Sequence, residues 1–350
     1  MFTENAFCDK IKEKTEFKMV KEYFGTLDGE KIYKYTLKNK NASISVINFG
    51  AILQDFCAFG KSVVGGFDCL ESYLKDDSHQ GAVIGRVANR IGGASFEVDG
   101  KVYTLPKNDG ENCLHGGCGF DRRIWTVTEA NDERIVLEYT SRDLEEGFPS
   151  EVYVQVCYTL LKCGFAIEYL AIPCGKTPIS LTHHAYFNLD GFGGNIEKQR
   201  VAVYANTYTE VGDDLIPTGK RPSVTGTVFD LRELTKIEDR LSCDFLGYDH
   251  NFNLSGGKIY NIMDKNVRLA ATVENEDTRL SVFTDQPALQ LYIGNFLGSG
   301  PNFSGNIKQV YHGAMCLEAQ TEPNSVKQGK NFYKNGEKYT QFTLYTVEKI

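Results

Sequence analysis

The run Val152-Tyr-Val-Gln-Val-Cys-Tyr158 puts Val152, Val154, Val156 and Tyr158 on one face of an extended chain and Tyr153, Gln155 and Cys157 on the other. A hydrophobic period of two does not fit a helix, so this stretch reads as a half-buried strand. Strand-like runs of the same kind recur at Lys31 to Val46, Arg134 to Thr140, Phe165 to Ile172, Arg200 to Ala205, Arg268 to Val273, Leu280 to Phe283, Ala288 to Phe296 and Thr340 to Val347. Turn clusters separate them, and 34 glycines supply the tight turns. Antiparallel strands can be joined by such turns, whereas parallel ones need long crossovers. The pattern therefore predicts an all-β fold, a large antiparallel β-sandwich with few short helices. The helix candidates are Cys69 to Lys75 and Arg232 to Leu241, the second with Asp230 as its cap. No fixed-period repeat, low-complexity tract or Pro/Gly/Ser linker divides the chain. The expected organisation is a polar N-terminal extension over residues 1–20 and one sandwich domain over residues 21–350.

Composition narrows the partners. With 41% hydrophobic residues the chain can build a sizeable core, and its formal net charge of -8 argues against a nucleic-acid surface. No stretch approaches the roughly 20 apolar residues of a membrane span. Lys10, Lys12, Glu13 and Lys14 stand where a signal peptide needs its apolar segment, so the expected compartment is the cytoplasm, with no membrane partner. The ten cysteines are scattered singly, and Cys157 and Cys316 lie in strand-like apolar runs; they read as reduced core thiols.

Against this apolar background Glu318 stands out. In Ala314-Met-Cys-Leu-Glu-Ala-Gln320, Ala314, Cys316, Glu318 and Gln320 share one strand face, and Met315, Leu317 and Ala319 share the other. A carboxylate buried on such a strand must be paired, protonated or part of a polar cleft. Ile179 to Leu189 repeats the theme. Ile179, Leu181, Ala185, Phe187 and Leu189 alternate with Ser180, Thr182, His184, Tyr186 and Asn188, which puts His184 on the polar face and His183 in the apolar one. A carboxylate and an imidazole on polar strand faces are the components of general acid/base chemistry near neutral pH.

Four polar clusters interrupt the apolar pattern: Gly85 to Ile91, Asn112 to Gly117, Thr182 to Leu189 and Gly247 to Leu254. Their Asn, Arg, His and Asp side chains suit a neutral polyhydroxylated ligand, although each cluster alone reads equally well as a satisfied turn or surface pair. Metal binding finds no support in spacing. Neighbouring His183 and His184 point to opposite faces, and no His-x-x-x-His or Cys-x-x-Cys pair exists. There is no Gly-x-Ser-x-Gly elbow and no Gly-x-x-x-x-Gly-Lys loop. His79, His250 and His312 read as surface or satisfied residues, and the single tryptophan, Trp125, reads as core.

Taken in order, several segments resemble those of the aldose 1-epimerases, the galactose mutarotase family. They are Gly81 to Ile91, Leu114-His-Gly-Gly117 with Gly119-Phe-Asp121, Tyr186-Phe-Asn-Leu189, Leu215-Ile-Pro-Thr-Gly219, Asp249-His-Asn-Phe252, and Gln286-Pro287 through Gln290 to Asn295. The likeness runs from about Phe24 almost to the C-terminus. It implies a mutarotase-like β-sandwich with an open cleft, a small-molecule aldose substrate and no cofactor. It also implies Glu318 as general base, His184 as general acid and His115 as a second site histidine, with Asn89, Arg90, Asp249 and Gln290 holding sugar hydroxyls. The chain departs from the family in three places. His183-His184 replaces Asn-His, Glu322-Pro-Asn324 lacks the usual Asp after the proline, and Ser78-His-Gln80 replaces a common aromatic before Gly81. Other readings stay open at this point: a glycoside hydrolase using Glu318 with Asp249, a non-catalytic sugar-binding protein, and a hexose-6-phosphate epimerase to which Arg86 and Arg90 would offer cations. The expected assembly is a monomer or weak homodimer.

Overall fold

The computed structural model describes residues 16–350. The extension expected over residues 1–20 thus lies outside the described residues as far as position 15, and the first strand is Lys18–Leu27. The architecture is all-β. A ten-stranded antiparallel sheet runs in the order Thr126–Ala130, Arg134–Ser141, Val152–Leu161, Gly164–Pro173, Tyr339–Lys349, Thr278–Thr284, Lys265–Glu274, Arg200–Val203, Thr235–Lys236, with Ile259–Ile262 also paired to Lys265–Glu274. A five-stranded sheet, Tyr186–Phe187, Met315–Gln320, Ala288–Tyr292, Asp249–Leu254, Ala205–Tyr208, packs over it. A third sheet, formed by the first five strands from Lys18 to Ser62, packs Leu37, Ile44, Val46, Leu53 and Phe56 into the same core.

Alternation decides which face is buried. Val152, Val154, Val156 and Tyr158 are all 0% exposed and form the inner face of the ten-stranded sheet. They share one core with Leu289, Leu291, Met315, Leu317 and Ala319 from the underside of the five-stranded sheet. Each such fully buried aliphatic side chain is worth about 1.5–3 kcal/mol. His183 follows its apolar register into this core, its ring edge-on to Tyr158 at 5.9 Å. Trp125 is also core, donating Nε1–H to the Phe120 carbonyl at 3.1 Å.

The sequence reading needs four corrections. The helix Leu70–Lys75 forms, but Arg232 to Leu241 is not helical. Leu234 is exposed, leaving Leu231 and Ile237 as the buried apolar residues, a spacing of six that makes no helical stripe. Asp230 pairs with the Arg232 side chain instead of capping, and Thr235–Lys236 joins Arg200–Val201 as an edge strand. Lys31 to Val46 is two strands, Glu30–Lys38 and Ala42–Ile47, folded back at the turn where the Asn39 side chain accepts from the Asn41 and Ala42 amides. Ala288 to Phe296 ends as a strand at Tyr292. The nine described cysteines are all free, but the core-thiol reading holds only for Cys113 and Cys316; Cys157 is half-exposed on the outer face of the large sheet. Among the described residues, no helix is long and apolar enough to cross a membrane.

Candidate active site

The upper face of the five-stranded sheet is built from the polar half of each alternation. Strand register sets Glu318 opposite Gln290 and Gln290 opposite Asn251, while Cys316 lies opposite Tyr292 and Tyr292 opposite Asp249. Directly paired residues share a face, so these side chains form one floor. All but Asp249 are buried, yet Glu318 Oε2, Gln290 Oε1, Asn251 Oδ1 and both amide atoms of Gln320 have no protein partner. Unpaired buried polar atoms cost about 1–3 kcal/mol each, and such a concentration on one face marks a surface made for hydrogen-bonding ligand groups. The floor is braced from beneath, where Tyr345 Oη donates to the Leu317 carbonyl at 3.0 Å and Gln341 Nε2 to the Ala319 carbonyl at 2.9 Å.

Over this floor lies a cleft of about 230 Å³. The segment Thr182–His183 pairs with Val83–Ile84, and the chain then bends to place His184 over Glu318. Gly81 donates its N–H to the His184 carbonyl at 3.0 Å; its φ is +66° and a Cβ there would lie 2.2 Å from the Leu53 carbonyl oxygen, so only glycine fits. His184 Nε2 stands 3.7 Å from Glu318 Oε1, which is an ion-pair distance rather than a hydrogen bond. His115 reaches the cleft from the ribbon in which Cys113–Leu114 pairs with Arg90–Ile91. Its Nδ1 accepts the Asn89 N–H at 3.2 Å, so in the neutral ring the hydrogen sits on Nε2. Gly116 lets this turn press against the Gly85 backbone, since a Cβ would meet the Gly85 oxygen at 2.6 Å.

Of the seven residues expected from sequence, Glu318, His184, His115, Asn89, Arg90 and Asp249 line the cleft. Gln290 is not among the lining residues: it neighbours Glu318 on the adjoining strand and donates Nε2 to Asp249 Oδ1 at 2.7 Å. Arg90 is held by Asp109 at 2.7 Å. Arg86 is not a cleft residue at all. Its buried guanidinium is spent on Ser141 and on the carbonyls of Arg142, Pro149 and Ser150. The cleft further includes Tyr186, Tyr292, Phe296 and His79. Tyr186 lies on the polar face already read for its strand, and Tyr292 joins the same floor through its pairing with Cys316 and Asp249. His79, expected to be a surface or satisfied residue, is paired to Asp121 and lines the cleft as well. His312 and His250 lie elsewhere; His312 is satisfied by Glu197 and Asn295.

Burial and neighbouring charge tune the central pair. Burial, reinforced by the Asp249 carboxylate, pushes Glu318 well above the usual carboxylate range, with Arg90 opposing. Burial, then the neighbouring His79 imidazole, holds His184 well below the usual imidazole range. His115 is depressed for the same reasons. His115, His184 and Glu318 also offer ligand-type atoms within 4.8 Å of one another. A metal ion fits poorly, because the Asn89 N–H already occupies the lone pair of His115 Nδ1 and leaves Nε2 as a donor. A larger hollow of about 610 Å³ lies on the outer face of the ten-stranded sheet. Its cations are already paired, Arg134 to Glu129 and Lys265 to Glu168, and it carries no comparable chemistry.

A β-sandwich whose polar sheet face carries a buried carboxylate–imidazole pair among unpaired hydrogen-bonding groups has the make-up of a carbohydrate-acting acid/base protein. Comparison with known proteins agrees. The family model for aldose 1-epimerase matches residues 33–346. The galactose mutarotase of Bos taurus is 37% identical over 327 residues, covering 90% of this chain and 93% of its own. The aldose 1-epimerase of Escherichia coli (strain K12) is 34% identical over 292 residues, covering 79% and 82%. In three dimensions, galactose 1-epimerase from Lactobacillus acidophilus NCFM superimposes with a TM-score of 0.85 at 26% identity, covering 95% of this chain and 99% of that one. The chain therefore belongs to the aldose 1-epimerase family, isomerases acting on carbohydrates.

Proposed function

We propose that this protein interconverts the α and β anomers of free aldohexoses such as galactose and glucose by acid/base ring opening and reclosure. The observation that carries the reading is the Glu318–His184 pair, 3.7 Å apart over a floor of amides whose oxygens have no protein partner. Glu318 removes the proton of the C1 hydroxyl while His184 protonates the ring oxygen, and the C1–O5 bond breaks to give the aldehyde. His115 Nε2–H supports the ring oxygen or its neighbour, and Asn89, Arg90 and Asp249 hold the remaining hydroxyls, with Gln290 Nε2–H fixing the Asp249 carboxylate from behind. Rotation about C1–C2 presents the other carbonyl face. Reclosure with the proton transfers reversed yields the opposite anomer and restores the pair.

The perturbed proton affinities suit these roles. A carboxylate raised by burial is a stronger base, and an imidazolium depressed by burial is a stronger acid. Ring opening moves the proton of the pair from His184 to Glu318, in net terms, which is the arrangement that burial favours. The pair holds one proton before and after the step. Activity should thus fall in acid, when a second proton binds, and in alkali, when the last one leaves, and both flanks belong to the pair rather than to either residue.

We place the reaction in a single domain over residues 21–350, acting in the cytoplasm as a monomer or weak homodimer. The comparisons lend nothing to the hydrolase, binding-protein or phosphosugar readings, and Arg86 is committed to backbone carbonyls instead of a phosphate. The test is polarimetry of freshly dissolved α-D-galactose and α-D-glucose with wild-type protein and Glu318→Gln. Acceleration by the wild type, lost by on the order of 10²–10⁴-fold in the variant, supports the reading; absence of acceleration with either sugar overturns it.

A further inference from the structure

The cleft holds three imidazoles, and the reaction above employs two. His79 lies 4.8 Å from His115 and 5.8 Å from His184, ring centroid to ring centroid. It occupies one of the three segments in which this chain departs from its family pattern, Ser78-His-Gln80. Its placement is rigid. The backbone at His79 is left-handed, φ +57°, as it is at His115 and Asn89, and Tyr186 Oη fastens the preceding residue through the Ser78 carbonyl at 3.0 Å. Non-glycine residues in that region carry a conformational cost that surrounding contacts must offset.

The polarity of the ring is fixed by its partner. His79 Nδ1 lies 2.8 Å from Oδ2 of Asp121, which is buried at 3% exposure and also pairs with Arg122. A carboxylate only accepts, so Nδ1 carries the hydrogen and the neutral ring keeps its lone pair on Nε2. His115 has the opposite arrangement, because the Asn89 N–H occupies its Nδ1 and leaves Nε2–H as a donor. Two adjacent imidazoles, set edge to face, thus offer one acceptor and one donor to the same cleft. A hydroxyl group needs one of each.

We propose that His79 is a specificity-determining residue of the sugar cleft: its Nε2 accepts the hydrogen of one aldose hydroxyl beside the ring oxygen, and the oxygen of that hydroxyl, rather than the ring oxygen itself, takes the single Nε2–H of His115. The contact rests on the aldose-epimerase reading and adds to it a reader of one hydroxyl group. It also accounts for the buried Asp121, whose carboxylate selects the tautomer that the contact needs.

The test compares kcat and KM for D-galactose and its 2-, 3-, 4- and 6-deoxy analogues in wild type, His79→Phe and His79→Gln. In the wild type one deoxy analogue should lose on the order of tenfold in kcat/KM, the scale of one neutral hydrogen bond. In His79→Phe, KM for galactose should rise by about the same factor with kcat nearly kept, and the penalty for that one analogue should shrink to within about twofold. His79→Gln retains an acceptor near the Nε2 position and should fall between the two; it carries the test alone should the Phe variant fail to fold. Equal losses for galactose and every deoxy analogue would reveal a merely structural role and overturn the proposal, as would discrimination unchanged in either folded variant. A wild type that accelerates none of these sugars would instead remove the underlying activity reading, and the proposal with it.

Discussion

His183 should make this protein's stability fall with acid in a way that one substitution removes. The side chain is 3% exposed, sits against Tyr158, and has no hydrogen-bond partner on either ring nitrogen. Burial pushes its pKa down to about 3. The unfolded chain carries the same imidazole at the usual value of about 6.5. Because the folded value is the depressed one, the contribution is complete above the unfolded pKa and is lost as pH falls toward the folded one. At pH 5 the unfolded imidazole is about 1.5 units below its midpoint while the folded one remains neutral; at about 1.4 kcal/mol per unit, roughly 2 kcal/mol of stability is gone. His183→Leu nearly conserves volume and cannot titrate. Urea unfolding at pH 7, 6 and 5, followed by the fluorescence of buried Trp125, should show the stability difference between wild type and variant shifting by about 2 kcal/mol in the variant's favour at the acid end. His115 and His184 are depressed in both proteins and cancel in the difference. Parallel stability curves for the two proteins from pH 7 to pH 5 would refute the reasoning.

Other consequences are more direct. His184→Asn should lower kcat by on the order of 10²–10⁴-fold at unchanged melting temperature, whereas His183→Leu should keep kcat within a few fold; the reverse pattern would exchange the two residues. Arg86→Met should lower stability by about 3 kcal/mol, since it strands the buried Pro149 carbonyl and Ser141 hydroxyl and the part-buried carbonyls of Ser150 and Arg142, while the folded protein keeps its KM for galactose. A raised KM without lost stability would return Arg86 to the cleft. Exhaustive dialysis against a chelator should leave mutarotation unchanged, because the tautomer of His115 opposes metal ligation; activity lost on dialysis and restored by a divalent ion would overturn that reading.

Period-two alternation carried most of the fold because it records a physical fact, which face of a strand meets the core. It told His184 from His183 correctly, and it put Glu318 on the face opposite Leu317. The same rule failed at Arg232 to Leu241, where a helix-forming composition is overridden by edge pairing with Arg200–Val201. There the deciding contact lies more than thirty residues away, and local propensity carries no trace of it.

The cleft was legible only where it lies on strands. Glu318 announces itself as a polar residue in an apolar alternation, whereas Gln290 and Asp249 came from the family resemblance; strand register then sets Gln290 beside Glu318 and Asp249 on the same floor. His115 and His79 hang on turns with left-handed backbone, where no periodicity exists to be broken. His115 was found through its resemblance to a known motif, and no such motif covered His79. Its signal is an ordinary-looking Asp121 some forty residues downstream, in the Gly-Phe-Asp segment, whose carboxylate is buried and therefore needs a partner. The same logic that made a buried Glu318 suspicious in the sequence applies to Asp121 in the fold: a buried carboxylate is explained by what it holds, and here it holds the third imidazole of the cleft.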